Sequence, residues 1–364
     1  MESRRGCRFH LLGGYPLINN RLNVAGSINM ATDYFFEGAE KLLEIWFGRQ
    51  DGKNENGDLR KIPREKYEDL LKAACCEVIS YTSNDEIDAY VLSESSMFVT
   101  KRRFILKTCG TTTPIECIKP LLLNVHEFTG FDEVEDVFYS RKNFERPELQ
   151  KDTHRNFKLE IESLNIIFKG TGVARFMRSS KTNDSWYLYA LHPVECFGKE
   201  KQNPDQTLEI LMTNLDPHVM QIFTKDQSAN ASQATQDSGI SELLPNMKID
   251  DFLFEPCGYS MNGIAKEGHY MTIHITPQQE FSYVSFETNV PQSSYKELIL
   301  KVLKTFQPEK CVLTMFTNEI SPSKSNHKEF KYLTHLGEWQ QDSNRTCSLK
   351  NHDLTVSFYS KYPS

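Results

Sequence analysis

Apolar and polar positions alternate along much of the chain, and the alternation is broken by a few stretches of helical spacing. In FFEGAEKLLEIWF (residues 35–47), Phe36, Ala39, Leu43 and Trp46 recur as one face of a helix, and Glu37, Glu40 and Glu44 line a second face. The spacing therefore predicts an amphipathic helix there, followed by a polar loop over residues 50–60. From Glu77 to Cys109 the pattern is that of strands, with Lys101-Arg102-Arg103 as the turn of a hairpin between Met97–Thr100 and Phe104–Cys109. A helix is predicted from Ile115 to Phe128, another from Glu160 to Phe168, and a strand over Ser185–Tyr189. Residues 224–239, TKDQSANASQATQDSG, are poor in apolar side chains and read as a mobile loop. Residues 268–288 alternate strongly on either side of Pro277, which predicts two adjacent strands. Ser294 and Glu297 form a capping-box pattern opening a helix that Pro308 ends. Periodicity alone thus gives an α+β protein with antiparallel sheets.

Composition narrows the classes. The 364 residues are 25% charged and 39% apolar with a net charge of −7, which disfavours general nucleic-acid binding. No apolar run approaches the roughly 20 residues that span a bilayer. The nine cysteines are scattered and lack CxxC spacing, as expected of a reduced, cytoplasmic protein without structural zinc. Residues 1–29 carry Arg4, Arg5, Arg8 and Arg21 against the single acid Glu2. That composition is shared with mitochondrial transit peptides, although a dispensable, disordered extension over residues 1–32 is the preferred expectation.

The chemistry concentrates at LSESSMFVTKRRFILKTCGTT, residues 92–112. This ungapped run closely resembles the self-cleavage segment of eukaryotic S-adenosylmethionine decarboxylases. FFEGAEKLLEIWF, FYSRKNF (138–144), PDQTLEILM (204–212) and the run from FEPCGYSMN to GHYMTIHITPQQEFSYVSFETN (254–289) resemble the same family in the same order. The resemblance implies a four-layer α/β/β/α sandwich of two antiparallel sheets with helices outside and two similar halves. It also implies a single domain over residues 33–364, cleaved after Glu94 into chains 1–94 and 95–364. Removing CO2 from an α-amino acid leaves a carbanion that needs an electron sink. In the family, the residue corresponding to Ser95 becomes a pyruvoyl group that forms a Schiff base with the substrate amine. No metal is implied.

Further roles follow from the resemblance, residue by residue. Cys109 is the proton donor to the decarboxylated carbon, and its neighbour Lys107 is expected to lower its pKa. Ser260 and His274 assist self-processing, and His274 shares a strand face with Thr272 and Thr276. Phe36 and Phe254 sandwich adenine, although periodicity alone would make Phe36 a core residue and leaves Phe254 undecided. Glu37 and Glu40 lie near the pyruvoyl group and substrate. Leu92 and Glu94 contact adenine through the backbone. Glu44, Asp205, Thr207, Glu209 and Glu287 surround a buried site for putrescine as activator, with Lys107, Phe138 and Phe316 nearby. From spacing alone the same acids would be a solvated sheet face. The implied substrate is S-adenosylmethionine, the product feeds spermidine and spermine synthesis, and the assembly is a homodimer of two-chain units.

The chain departs from the family pattern in its second half. Gln278, in Pro277-Gln278-Gln279-Glu280, stands where relatives carry an acid that binds the ribose hydroxyls. It keeps hydrogen-bonding capacity without charge. His352 lies near the position of a family tyrosine beside the diamine, and the last 45 residues align poorly. These departures motivate an alternative reading, a catalytically weak paralogue that regulates an active partner subunit.

Overall fold

The computed structural model describes residues 35–170, 172–191 and 204–362. The expected extension over residues 1–32 lies outside them. Eight strands of the first half form one antiparallel sheet: β1 (Lys41–Gly48), β2 (Val78–Ser83), β3 (Ile87–Leu92), β4 (Ser95–Thr100), β5 (Arg103–Thr108), β6 (Glu133–Lys142), β7 (Gly172–Arg178) and β8 (Ser185–Leu191). Nine strands of the second half form the other: β9 (Gln206–Leu215), β10 (Lys248–Leu253), β11 (Tyr259–Ile264), β12 (Tyr270–Thr276), β13 (Tyr283–Thr288), β14 (Pro308–Thr317), β15 (His335–Leu336), β16 (Trp339–Ser348) and β17 (Asp353–Lys361).

The strand orders are β2-β3-β4-β5-β1-β6-β8-β7 and β10-β11-β12-β13-β9-β14-β17-β16-β15. Apart from the short β15, the second repeats the first, with β1 and β9 as equivalent central strands. The two halves are therefore alike in topology even where the sequence shows no residue-level repeat.

Helices α1 (Arg64–Ala73), α2 (Ile118–Phe128) and α3 (Phe157–Ile167) cover the outer face of the first sheet. Helices α4 (Pro217–Gln221), α5 (Ala231–Asp237), α6 (Lys296–Phe306) and α7 (Asn326–Tyr332) belong to the second half and put buried side chains into the outer core of its sheet. Two smaller apolar clusters lie between the sheets. One gathers around Trp186, Leu211 and Phe358, and the other joins Leu42, Phe98 and Ile105 to Ile264 and Tyr270. Polar side chains fill the space between these clusters. Among the described residues no helix is long and apolar enough to cross a membrane.

Four sequence expectations are corrected. Residues 41–48 form β1, the central strand, and not a helix. Leu43, Ile45 and Phe47 face the helices, while Leu42, Glu44 and Trp46 face the other sheet. A strand buried on both faces reads as a nearly continuous apolar run, which periodicity cannot separate from a buried helix. The stretch 224–239 is not simply a loop. It contains α5, capped by Asn230 Oδ1 accepting from the Gln233 amide at 2.9 Å, with Ala234 buried in the outer core. The capping box does not close: α6 opens at Lys296, and the Ser294 hydroxyl donates to Glu329 Oε1 at 2.8 Å. The β4–β5 turn is Lys101-Arg102 alone, because Arg103 already belongs to β5.

Candidate active site

The Glu94–Ser95 bond sits where the chain turns sharply from β3 into β4, with Leu92 paired to Ser95. Ser95 has φ +112°, a left-handed value that a non-glycine residue adopts only against strain. Its hydroxyl donates to Glu40 Oε1 at 3.0 Å. The pairing of β4 with β5 sets Ser95 opposite Thr108, so Cys109 follows at its side, with Sγ 3.5 Å from Ser95 Oγ. The Cys109 backbone N–H donates to the carbonyl oxygen of Glu94 at 3.2 Å. Gly110 then turns the chain at φ +61°. A Cβ there would come within 3.1 Å of the Phe36 ring and 3.3 Å of Glu94 Oε2, so a side chain would be crowded as well as strained, and glycine is favoured.

The second sheet supplies the opposite wall. Pairing of β11 with β12 sets Ser260 beside His274, and Ser260 Oγ is 2.9 Å from His274 Nδ1. Thr272 Oγ1, on the same face, is 2.9 Å from His274 Nε2. Glu40 links the walls, because its Oε1 also lies 3.9 Å from His274 Nε2. Ser96 of β4 donates to Asn262 Oδ1 of β11 at 2.7 Å and fastens the sheets beside the site. A cavity of about 300 Å³ opens here, lined among others by Phe36, Ser95, Cys109, Phe254, His274 and Gln278. That volume lies at the small end of ligand pockets.

Burial decides the protonation states. It pushes the Cys109 thiol well above its ordinary value, and the Glu94 carboxylate adds to the rise. The expectation that Lys107 lowers this pKa is therefore corrected. The Lys107 ammonium is spent elsewhere, on Glu209 Oε1 (3.0 Å) and Glu287 Oε2 (2.8 Å). A protonated thiol is what a proton donor needs. Burial raises Glu94 to about 7, with Lys41 opposing. Burial lowers His274 to about 4, leaving it neutral and able to accept a proton at neutral pH. Burial alone would raise Glu40, but Lys107, His274 and the hydrogen bond from Ser95 hold it below its ordinary value.

Glu37 and Leu92 also serve the fold around the cavity. Glu37 lines the cavity, yet its carboxylate accepts from the backbone amides of Ala39, Glu145 and Arg146, at 3.3, 2.9 and 3.1 Å. It fastens the segment after β6. The side chain of Leu92 lies in the outer core, and Ser93 and Glu94 form the cavity wall at that point.

The predicted acidic cluster also assembles between the sheets, beside the cavity. Glu44 of β1 meets Asp205, Thr207 and Glu209 from β9 and its approach, together with Glu287 of β13, and Phe138 and Phe316 pack at 5.4 Å. Arg103, which the sequence reading assigned to a turn, lies in the middle. Its guanidinium donates to Glu44 Oε2 (2.7 Å), Thr207 Oγ1 (3.1 Å) and Asp205 Oδ1 (3.4 Å). The signal was available: Arg103, Ile105 and Lys107 alternate along β5 and must share the inward face. Tyr270, also missed, donates to Glu287 Oε1 at 2.6 Å. His352 Nε2 is 2.9 Å from Asp205 Oδ2. Burial opposes protonation of His352, but the hydrogen bond and charge of Asp205 raise it above its ordinary value. Burial raises Glu209 to about 7 despite Lys107. The space left is about 20 Å³, enough for one water.

Known proteins match this chain over nearly its whole length. A sequence profile of the family described as adenosylmethionine decarboxylase matches residues 33–360. The S-adenosylmethionine decarboxylase proenzyme of Drosophila melanogaster is 48% identical over 337 residues, covering 90% of this chain and 96% of that protein. The proenzyme of Xenopus laevis is 50% identical over 292 residues, covering 80% and 86%. The crystal structure of the Trypanosoma brucei AdoMetDC-delta26 monomer superposes with a TM-score of 0.55 at 25% identity, covering 73% of this chain and 99% of that one. Sequence, strand topology and the Glu94–Ser95 junction agree: the chain belongs to the adenosylmethionine decarboxylase family.

Proposed function

We propose that this carboxy-lyase is made as a proenzyme, cuts itself between Glu94 and Ser95, and then decarboxylates S-adenosylmethionine with the pyruvoyl group left on residue 95. The observation that carries the reading is the junction itself: a strained serine whose hydroxyl rests on Glu40, next to a carbonyl held by the Cys109 N–H. Ser95 Oγ attacks the Glu94 carbonyl carbon while Glu40 takes the hydroxyl proton. The Cys109 N–H stabilises the developing oxyanion. The C–N bond then breaks, its nitrogen takes up a proton, and an ester remains in place of the amide. Neutral His274, oriented by Ser260, removes the Cα proton of residue 95. The ester C–O bond breaks, and Glu94 leaves as a chain-terminal carboxylate. The dehydroalanine left behind isomerises to an imine, and water hydrolyses it with release of ammonia.

Ser95 lines a cavity large enough for a nucleoside-sized ligand, which suits a pyruvoyl group formed at that residue. When present, the group supplies a carbonyl that accepts the electron pair left by departing CO2. The chain's own residues do the rest. The protonated Cys109 thiol delivers a proton to the substrate carbon. Phe36 and Phe254 hold the adenine by stacking, and Gln278 hydrogen-bonds the ribose. Glu37 fixes the cavity wall. Retention of Ser95, Cys109, Ser260 and His274 together favours catalysis over the regulatory reading.

The acidic cluster serves as a putrescine site in this reading. Four carboxylates (Glu44, Asp205, Glu209 and Glu287) face Arg103, Lys107 and, when protonated, His352. The remaining acid attracts a diamine, which must displace water and shift side chains to enter. The enzyme acts in the cytoplasm as a homodimer of two-chain units and supplies spermidine and spermine synthesis. The test is release of labelled CO2 from carboxyl-labelled S-adenosylmethionine. Wild type releases it and Ser95→Ala, which stays full length, does not. Equal release from both overturns the reading.

A further inference from the structure

Gln150 follows a short 3-10 turn (Pro147–Leu149) beyond β6, lines the cavity, and is 2% exposed. Its Oε1 accepts from Lys41 Nζ at 3.1 Å. Lysine has only donors, so the amide oxygen must face Lys41, and the amide group has one possible orientation. That leaves the Nε2 hydrogens on the other side, where Nε2 has no hydrogen-bond partner among the described residues. A buried amide donor left unpaired is costly, and in a cavity that receives a ligand the ligand is the natural partner.

The surroundings keep this donor in place. Lys41 points out of β1 toward the helical layer, is fully buried, and also donates to the Gly110 carbonyl at 2.9 Å, directly after Cys109. Burial lowers Lys41 to about 8, so it still carries its proton at neutral pH. Glu37 joins the same parts from the other side. Its carbonyl accepts from the Gly110 amide at 2.8 Å, and its carboxylate holds the Glu145 and Arg146 amides. The Cys109–Gly110 turn and the segment leading to Gln150 are thus one braced unit.

We propose that Gln150 is a further substrate-binding residue, donating a hydrogen bond from Nε2 to an acceptor on the bound substrate, with Lys41 fixing the amide that does so. This rests on the reading that the cavity takes S-adenosylmethionine. The acceptor belongs to the nucleoside or to the methionyl carboxylate, and two ligands separate these sources. 5′-Methylthioadenosine retains the nucleoside and lacks the carboxylate.

The experiment compares KM for S-adenosylmethionine and the inhibition constant of 5′-methylthioadenosine in wild type, Gln150→Leu and Gln150→Glu, after mass measurement shows complete cleavage. Gln150→Glu keeps an oxygen for Lys41 and loses the donor, so it tests the idea even if Gln150→Leu folds poorly. Both variants are expected to raise KM roughly tenfold, as loss of a buried hydrogen bond does. A parallel rise for 5′-methylthioadenosine assigns the acceptor to the nucleoside, and an unchanged value assigns it to the carboxylate. Wild-type KM in a fully cleaved Gln150→Glu enzyme overturns the inference. Failure of wild type itself to release CO2 would instead overturn the underlying function.

Discussion

Strand β1 and the residue just before it contribute one carboxylate each to two polar sites between the same sheets. Glu40 stands at the cavity of about 300 Å³, and Glu44 at a cluster with about 20 Å³ left. In the cavity, Glu40 receives a serine hydroxyl and lies near a neutral histidine, groups whose protons can move. In the cluster, Glu44 and Asp205 share Arg103, and Glu209 and Glu287 share Lys107, groups that keep theirs. Openness and pairing with neutral partners make a site reactive. Close packing against fixed cations makes it a structural support that still responds to added charge. Lys107 connects the two, since it bonds the cluster and lies 3.6 Å from Glu40.

The largest expected effect falls on the reactive side. His274→Ala should stall processing at the ester and abolish decarboxylation. Hydroxylamine, which cleaves esters and spares amides, should then cut at residues 94–95, as seen by mass. A stable, uncut chain would remove His274 from the elimination step.

On the packed side, Lys107→Met should cost about 3–5 kcal/mol of stability, because it leaves Glu209 and Glu287 buried without their cation. Urea unfolding measures it. A loss below about 1 kcal/mol would mean that the carboxylates rearrange or take up protons, and that the cluster is no more fixed than the cavity.

The pH response separates the sites further. Folded His274 titrates near 4 instead of its ordinary 6.5. Between those values the unfolded chain binds a proton that the folded chain refuses. Its contribution to stability is therefore full above pH 6.5 and lost as pH falls toward 4. Its neutral form persists in the fold over the same range, so cleavage of newly made Glu94→Gln chain, which lacks the junction carboxyl raised to about 7, should proceed at one rate from pH 7.5 to 6. A fall centred near 6.5 would show an ordinary, solvated histidine.

How much of this was legible depends on what each residue's neighbours are. The junction at Ser95, with Cys109, Ser260 and His274, could be read because a long contiguous run and a strand register carry it. The antiparallel strands were legible wherever one face was polar. The central strand β1 was not, since helices cover one face and the second sheet the other. Arg103 was hidden by the two basic residues before it, Lys101 and Arg102, which look like a solvated turn. Gln150 and Lys41 meet across 109 positions of sequence, and no local pattern joins them.

The smallest expected effect is the response of the packed site to putrescine. Initial rate should rise with putrescine in wild type, with a coupling of about 1–3 kcal/mol, and the rise should vanish in Glu287→Gln. A flat wild-type titration would leave Arg103 and Lys107 as the cluster's working counter-ions. A response that survives Glu287→Gln would put the diamine elsewhere.

The most direct test of the central claim, that Ser95 is converted to the reacting group, is the intact mass of the freshly purified, active protein under denaturing conditions. Two chains are expected, one ending at Glu94 and one beginning at a blocked residue 95. A single uncleaved chain in protein that still decarboxylates S-adenosylmethionine would contradict it.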